Sequence, residues 1–213
     1  MTVTTEPRRF VLTVDGQVRS ELKALLGDTP VILASGSPRR KEILSLAGID
    51  CRVIVPNVDE DIPLVGSPRK HALSIALHKL AHVPGAMGIT VAADTIVVLD
   101  EKILGKPVDK ADARRILRTL SGKKHYVVTA LAIRDNASGR VVTNFAMSYV
   151  TFRPLSDDAI ASYVDSGEPM DKAGAYGIQG MGELLVEELE GSLHNVIGFP
   201  IELFMRMIRE LRQ

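Results

Sequence analysis

Cysteine occurs once in this 213-residue chain, tryptophan not at all, and aromatic residues amount to 4%. The lone cysteine, Cys51, excludes an intrachain disulfide and any cysteine-based metal cage, and it fits a reducing compartment best. So few aromatic rings argue against a stacking platform for single-stranded nucleic acid. No charge predominates either: Lys and Arg together number 26, as do Asp and Glu. Without an overall basic field, no stable nucleic-acid partner is expected, and any anion site has to be local. Also missing is an apolar run of transmembrane length free of charge and glycine. The stretch from Met1 to Leu12 has no continuous apolar segment of the kind a secretory signal carries. These absences predict a cytoplasmic protein with no membrane partner. A Gly-x-x-x-x-Gly-Lys-Ser/Thr loop is lacking as well, which excludes a P-loop ATPase.

What is present is ordinary in proportion, 46% apolar and 24% charged, and the length allows a sizeable core in one unit of two lobes. The chain reads most clearly outward from Val31–Gly48, where a buried strand, a tight turn and a helix start succeed one another. Ser37 suits an N-cap, Pro38 the first helical position, and Gly48 a stop after the apolar Ile43, Leu44 and Ala47. Arg39 and Arg40 then sit in the first turn, beside the positive end of the helix, where cations are disfavoured. With the free backbone donors of that turn they make a site for phosphate or carboxylate, although taken alone they read equally well as solvated surface residues.

Before this stretch, Arg8–Val14 has strand character and the region around Ser20–Leu26 is helical. After it, Arg52–Pro56 reads as a short strand, followed by the acidic turn Asn57–Asp61, which on its own residues reads as a solvated loop. Ser67-Pro68 opens a second helix to about Val83, with Ala72, Leu73, Ala76, Leu77 and Leu80 as its apolar stripe and Lys79 bordering it. His78 and His82 have the spacing of a helical zinc pair, but a lysine stands where a metalloprotease carries its glutamate, so zinc is not expected there. Ile89–Leu99 is a long apolar strand with Asp94 in its middle, and a carboxylate in such a place needs a partner or a task. Gly105-Lys-Pro107 forms a loop, and an amphipathic helix runs from Asp109 to Leu120. His125–Ile133 and Val141–Phe152 pair as a hairpin, and Ser156 caps a short helix to about Val164. The glycines at 174, 177, 180 and 182, interleaved with Asp171, Lys172, Tyr176 and Gln179, read as a site wall. A helix over Pro200–Gln213 closes the chain.

Arg39, Arg40, Lys79 and Lys106 as cations, Glu60 and Asp94 as carboxylates, and a glycine-rich wall carrying Gln179 together point to phosphate and metal. Carboxylates can hold Mg²⁺, which prefers phosphate oxygens as further ligands, while a remaining carboxylate accepts a proton from water. The chemistry implied is metal-assisted hydrolysis of a polyphosphate.

Ser35-Gly-Ser-Pro-Arg-Arg40, Asp59-Glu60, Ala93-Asp-Thr-Ile96, Leu104-Gly-Lys-Pro107 and Asp171-Lys-Ala-Gly-Ala-Tyr-Gly-Ile-Gln-Gly180 together resemble the Maf family, from about Val31 to the C-terminal helix. The resemblance implies an α/β fold, a mixed twisted sheet with flanking helices like that of inosine triphosphate pyrophosphatase, with two lobes around a cleft. It implies a cytoplasmic nucleoside triphosphate pyrophosphatase that needs a divalent cation, Mg²⁺ or Mn²⁺. By the same resemblance Asp94 is the proton acceptor, and Ser35, Arg40, Glu60, Lys79 and Lys106 bind phosphates or metal, with Glu60 and Asp94 the metal ligands. Arg39, Thr95 and Gln179 match the positions that go with base selection in the subgroup acting on dTTP and UTP. Gln179 suits this because its amide both donates and accepts.

Residues 1–28 stand as an N-terminal extension to a Maf-like domain at 29–213, longer than the family usually carries. Strictness towards pyrimidines stays open, modified nucleotides included. Members of the family often form homodimers, though no feature here requires one. Two other readings remain: a sugar-nucleotide transferase, since Leu33-Ala-Ser-Gly-Ser-Pro-Arg39 is similar to the opening of that class, and a non-enzymatic nucleotide-binding regulator of cell division or septum formation.

Overall fold

The computed structural model describes residues 10–59, 63, 66–85 and 87–213. Its elements run α1 (Gly16–Leu26), β1 (Val31–Ala34), α2 (Pro38–Leu46), β2 (Cys51–Val53), α3 (Pro68–Ala81), β3 (Ile89–Leu99) and β4 (Lys102–Leu104). They continue as α4 (Lys110–Leu120), β5 (Lys124–Asp135), β6 (Val141–Phe152), α5 (Asp157–Asp165), β7 (Val186–Glu190), α6 (Leu193–Ile197) and α7 (Ile201–Leu211). Local chemistry accounts for the helix starts. The side chains of Asp15, Asp109 and Ser156 accept from backbone N–H groups of the first turns of α1, α4 and α5. α2 and α3 begin instead on Pro38 and Pro68, with Ser37 and Ser67 extended before them and making no side-chain cap bond.

Among the described residues the strands form one seven-stranded mixed sheet, ordered β2-β1-β3-β5-β6-β7 with β4 on β3. β1 is parallel to both β2 and β3, whereas β3, β5, β6 and β7 pair antiparallel in succession. One layer of core, containing Leu33, Val91, Ala93, Val97 and Leu131, is covered by side chains of α1, α2, α4, α5 and α7. The other, containing Ala92, Ile96, Val98 and Val128, is covered by Ala72, Ala76 and Leu80 of α3. Each buried Leu, Ile or Phe is worth about 1.5–3 kcal/mol of transfer free energy. No helix among the described residues is long and apolar enough to cross a membrane.

The two edges of β3 are paired unequally. β1 pairs with it only as far as Ala34 opposite Ala92, and β4 takes up the same edge only from Val97 opposite Leu104. Between them, among the described residues, Ala93–Ile96 have a strand neighbour on one side alone, β5. Asp94 and Thr95 therefore sit at a notch in the sheet, just beyond the C-terminal end of β1, which is where ligands bind in sheets of this kind.

Several sequence expectations shift. Phe10–Val14 is not strand and has no ladder pairing, and α1 begins at Gly16 rather than near Ser20. β2 lies at Cys51–Val53 rather than Arg52–Pro56. In α3 the buried positions are His71, Ala72, Ile75, Ala76, Lys79 and Leu80, while Leu77 is exposed, so the buried stripe is rotated and Lys79 lies within it. Neither β7 nor α6 is expected from sequence: the charged run Val186–Glu190 of β7 pairs at the sheet edge, and α6 is a single short turn of helix.

The segment before β1 packs on the rest. Leu22 is fully buried in the main core, and His194 Nε2 lies 2.9 Å from the carbonyl oxygen of Thr13 while Nδ1 lies 2.9 Å from Glu202 Oε1. α1 is thus expected to unfold with the domain rather than as an appendage. Leu22→Ala should lower the stability of a single unfolding transition by roughly 2–5 kcal/mol. An unchanged denaturation midpoint would show that residues 1–28 are an extension the domain does not need.

Candidate active site

The notch in β3 opens into a cavity of about 400 Å³. Ser35 to Arg40 come to it from the loop after β1 and the first turn of α2, Lys79 from α3, Asp94 and Thr95 from β3, Lys106 from the loop after β4, and Gln179 from the glycine-rich wall. All the site residues expected from sequence that the structure describes thus line one cavity, and Glu60 lies outside the described residues. Neighbouring strand residues point to opposite faces, and both faces reach the cavity here only because the edge of β3 is open.

On one face Lys79 Nζ donates to Asp94 Oδ1 at 2.8 Å, with both side chains buried. A buried ion pair recovers its desolvation cost only where the geometry is good, and breaking one leaves a stranded charge at about 3–5 kcal/mol. Oδ2 of Asp94 is also buried, yet has no hydrogen-bond partner among the described residues. A carboxylate oxygen left without a donor inside a cavity is incomplete until water, a cation or a ligand proton meets it. Among the described residues no three His, Cys, Asp or Glu side chains form a metal cage. Asp94 suits a hard cation that takes one or two carboxylates and fills its shell with water and phosphate oxygens.

On the other face three hydrogen bonds among the described residues hold the Arg40 guanidinium. Nε donates to the carbonyl of Gly198 at 3.0 Å, one terminal nitrogen to Ser35 Oγ at 2.8 Å, and the other to Thr95 Oγ1 at 3.2 Å. Thr95 is opposite Thr129 in the β3–β5 ladder, and their hydroxyls are 2.9 Å apart. Thr129 in turn is fixed by Asn195. Its N–H donates to Asn195 Oδ1 at 3.1 Å and its hydroxyl to the Asn195 carbonyl at 2.8 Å, while Asn195 Nδ2 donates to Val127 O and Ser148 Oγ. These bonds fix the orientation of the cationic head before a ligand arrives.

Arg39 lies at the rim, where it donates to Asp171 Oδ2 at 3.0 Å across the cavity mouth. Lys172 donates to the other oxygen of Asp171 at 2.7 Å. Burial opposes the charge on Asp171, but the hydrogen bonds from Lys172 and Arg39 outweigh it and hold its carboxyl below the usual range.

The glycine-rich wall is dictated by close backbone approach. A Cβ on Gly182 would lie 2.0 Å from the carbonyl oxygen of Gly177, and one on Gly174, whose φ is +69°, would meet Val97 at 2.9 Å. Glu168 staples the wall by accepting from Tyr163 Oη and from the N–H groups of Met181 and Gly182, and Tyr163 Oη accepts from Gly177 N–H. Behind it the cavity-lining Tyr176 shares a 2.8 Å hydrogen bond with His125 Nε2, and both rings pack edge-on against Phe152. Sequence reasoning missed Thr129, Asn195, Glu168 and His125 as supports. Thr129 carried a signal, a polar residue inside an apolar strand, as did Asp94; the other three depend on contacts that form only in the folded chain.

The family model described as Maf-like protein matches residues 30–211. A protein of Bacillus anthracis (strain CDC 684 / NRRL 3495) named dTTP/UTP pyrophosphatase is 46% identical over 185 residues, covering 86% of this chain and 94% of its own. Proteins of the same name from Bacillus cereus (strain AH820) and Bacillus thuringiensis subsp. konkukian (strain 97-27) are each 45% identical over the same shares of both chains.

Burial pushes the His125 pKa down to about 4 from the ordinary 6.5. The unfolded chain therefore takes up this proton first as pH falls. The stabilisation is complete above pH 6.5 and lost progressively towards pH 4, and a displacement of that size corresponds to roughly 3 kcal/mol. His125→Gln, which does not titrate, should flatten the dependence of unfolding free energy on pH across that window; an unchanged slope would remove His125 as its cause.

Proposed function

The chain belongs to the Maf family, and from that premise we propose that it is a nucleoside triphosphate pyrophosphatase, cleaving dTTP and UTP to the nucleoside monophosphate and pyrophosphate. The observation that carries this reading is the buried Asp94 oxygen without a partner among the described residues, in a cavity also lined by Arg40, Lys79 and Lys106. A binding module has little use for such an oxygen among cations that attract phosphate.

In this reading Ser35, Arg40, Lys79 and Lys106 bind the phosphates. Arg40 is pre-set by Gly198, Ser35 and Thr95, so the cost of ordering its long side chain is met before the nucleotide arrives. Lys79 holds Asp94 through Oδ1, which leaves Oδ2 to accept the proton of the water that attacks the α-phosphorus. The bond from that phosphorus to the bridging oxygen breaks as pyrophosphate leaves. Asp94, with Glu60, would hold a divalent cation, Mg²⁺ or Mn²⁺, whose chemistry is to polarise the scissile phosphate and neutralise the leaving pyrophosphate. Arg39, Thr95 and Gln179 select the base. The single cysteine and the nucleotide substrate fit a cytoplasmic location.

Pyrophosphate release should be measured on a panel of standard, methylated and deaminated nucleoside triphosphates, with and without Mg²⁺ or Mn²⁺ and with no second substrate. Metal-dependent release favouring dTTP and UTP is expected, and binding without turnover across the panel would withdraw the catalytic reading. Asp94→Asn should lower kcat by about 10²-fold or more while nucleotide affinity changes little. A variant turning over at the wild-type rate would remove Asp94 as proton acceptor.

A further inference from the structure

The two hydroxyls that flank the Arg40 guanidinium have opposite hydrogen-bond polarity, and the network fixes each. Ser35 Oγ accepts twice, from Arg40 at 2.8 Å and from the Ser37 N–H at 3.2 Å. Both lone pairs are used, so what remains for a ligand is its proton. Thr95 is the reverse. A backbone carbonyl can only accept, so the 2.8 Å contact between Thr129 Oγ1 and the Asn195 carbonyl consumes the single Thr129 hydroxyl proton. The proton in the 2.9 Å contact between Thr95 and Thr129 must then come from Thr95. With that proton committed to Thr129 and one lone pair taken by Arg40, Thr95 has only a lone pair left to offer.

We propose that Thr129, held by Asn195, is a positioning residue for base selection: it locks Thr95 as a hydrogen-bond acceptor that reads the N3–H of thymine or uracil. The proposal rests on the reading of Thr95 as a base-selecting residue. An oxygen that only accepts repels a phosphate oxygen and attracts N–H, and N3–H is the sole N–H group on either base. Cytosine presents a lone pair at N3, so it meets Thr95 with two acceptors face to face. Ser35, a donor, suits phosphate oxygens. Thr95 also leaves β3 on the face opposite Asp94, away from the buried ion pair with Lys79. Discrimination by an unpaired polar group is the strong kind, because the wrong partner leaves a desolvated group unsatisfied.

Thr129→Val keeps the branched shape and the backbone bond to Asn195 but removes the hydroxyl, so the Thr95 proton becomes free to turn towards a ligand. The ratio of kcat/KM for dTTP over dCTP should fall about tenfold or more, and Thr129→Ser, which restores the hydroxyl, should retain the wild-type ratio. An unchanged ratio in Thr129→Val, or equal loss on both substrates, overturns the proposal, since a merely structural role would move both together. Should Thr129→Val not fold, wild-type protein decides: UTP should be turned over at least about tenfold faster than 3-methyl-UTP, which lacks N3–H, and equal rates overturn the assignment. Failure of the proposed function is separately visible. Wild-type protein that releases no pyrophosphate from any triphosphate removes both readings, whereas release without preference for dTTP over dCTP removes this proposal and the base selection it rests on and leaves the pyrophosphatase reading standing.

Discussion

The constraint on which the site depends is an interrupted ladder. β1 is short, ending at Ala34, and β4 rejoins the same edge of β3 only at Val97. A continuous neighbour would send Asp94 and Thr95 to opposite sides of a closed sheet, into two separate cores. Because the edge is open, consecutive residues on opposite faces line one cavity, and helices from both layers reach it, α3 with Lys79 and α2 with Arg40. The notch turns the alternation of a β-strand, usually a way of separating side chains, into a way of bringing two chemistries together.

Each face then solves its electrostatic problem differently. Asp94 is buried with a lysine that lies within the buried stripe of α3 rather than at its margin. That pairing satisfies one carboxylate oxygen and leaves the other open. Arg40 donates to a carbonyl and two hydroxyls, backed by Thr129 and Asn195. These partners fix where the guanidinium points before a ligand arrives. Arg39, at the rim, is paired with a carboxylate, and an anion that engages Arg39 has to compete with Asp171 for it.

Much of this was legible in the sequence, for definable reasons. Periodicity and turn residues disclose β1, α2, β3, the β5–β6 hairpin and α7, because each is long or sharply bounded. Asp94 stood out as a carboxylate in an apolar strand, a cost that demands a reason. β7 was hidden by its charge, since a run of glutamates at a sheet edge has no apolar alternation, and α6 is too short to show a period. Lys79 was placed only at the border of its stripe, because what decides its burial is a carboxylate on another element, invisible to a helical wheel. The supports of the site were hidden most deeply: the Glu168 staple and the Asn195 bracket are single polar residues whose partners are fixed only when the glycine-rich wall and α6 close on β5.

The hydroxyl network shows why such supports matter chemically and not only mechanically. Serine and threonine are ambidextrous in isolation, able to donate or accept, and a site built from free hydroxyls would accept either polarity of ligand. Here the ambiguity is removed by fixed neighbours, outside the cavity for Thr95 and within it for Ser35. A carbonyl that can only accept sets the direction at Thr129, that sets it at Thr95, and two N–H donors set the opposite direction at Ser35. The network thereby imposes opposite demands on two points of the same cavity: a proton acceptor at Ser35 and a proton donor at Thr95. A nucleotide whose phosphate oxygens meet the first demand and whose imide N–H meets the second satisfies both without any rearrangement of the protein.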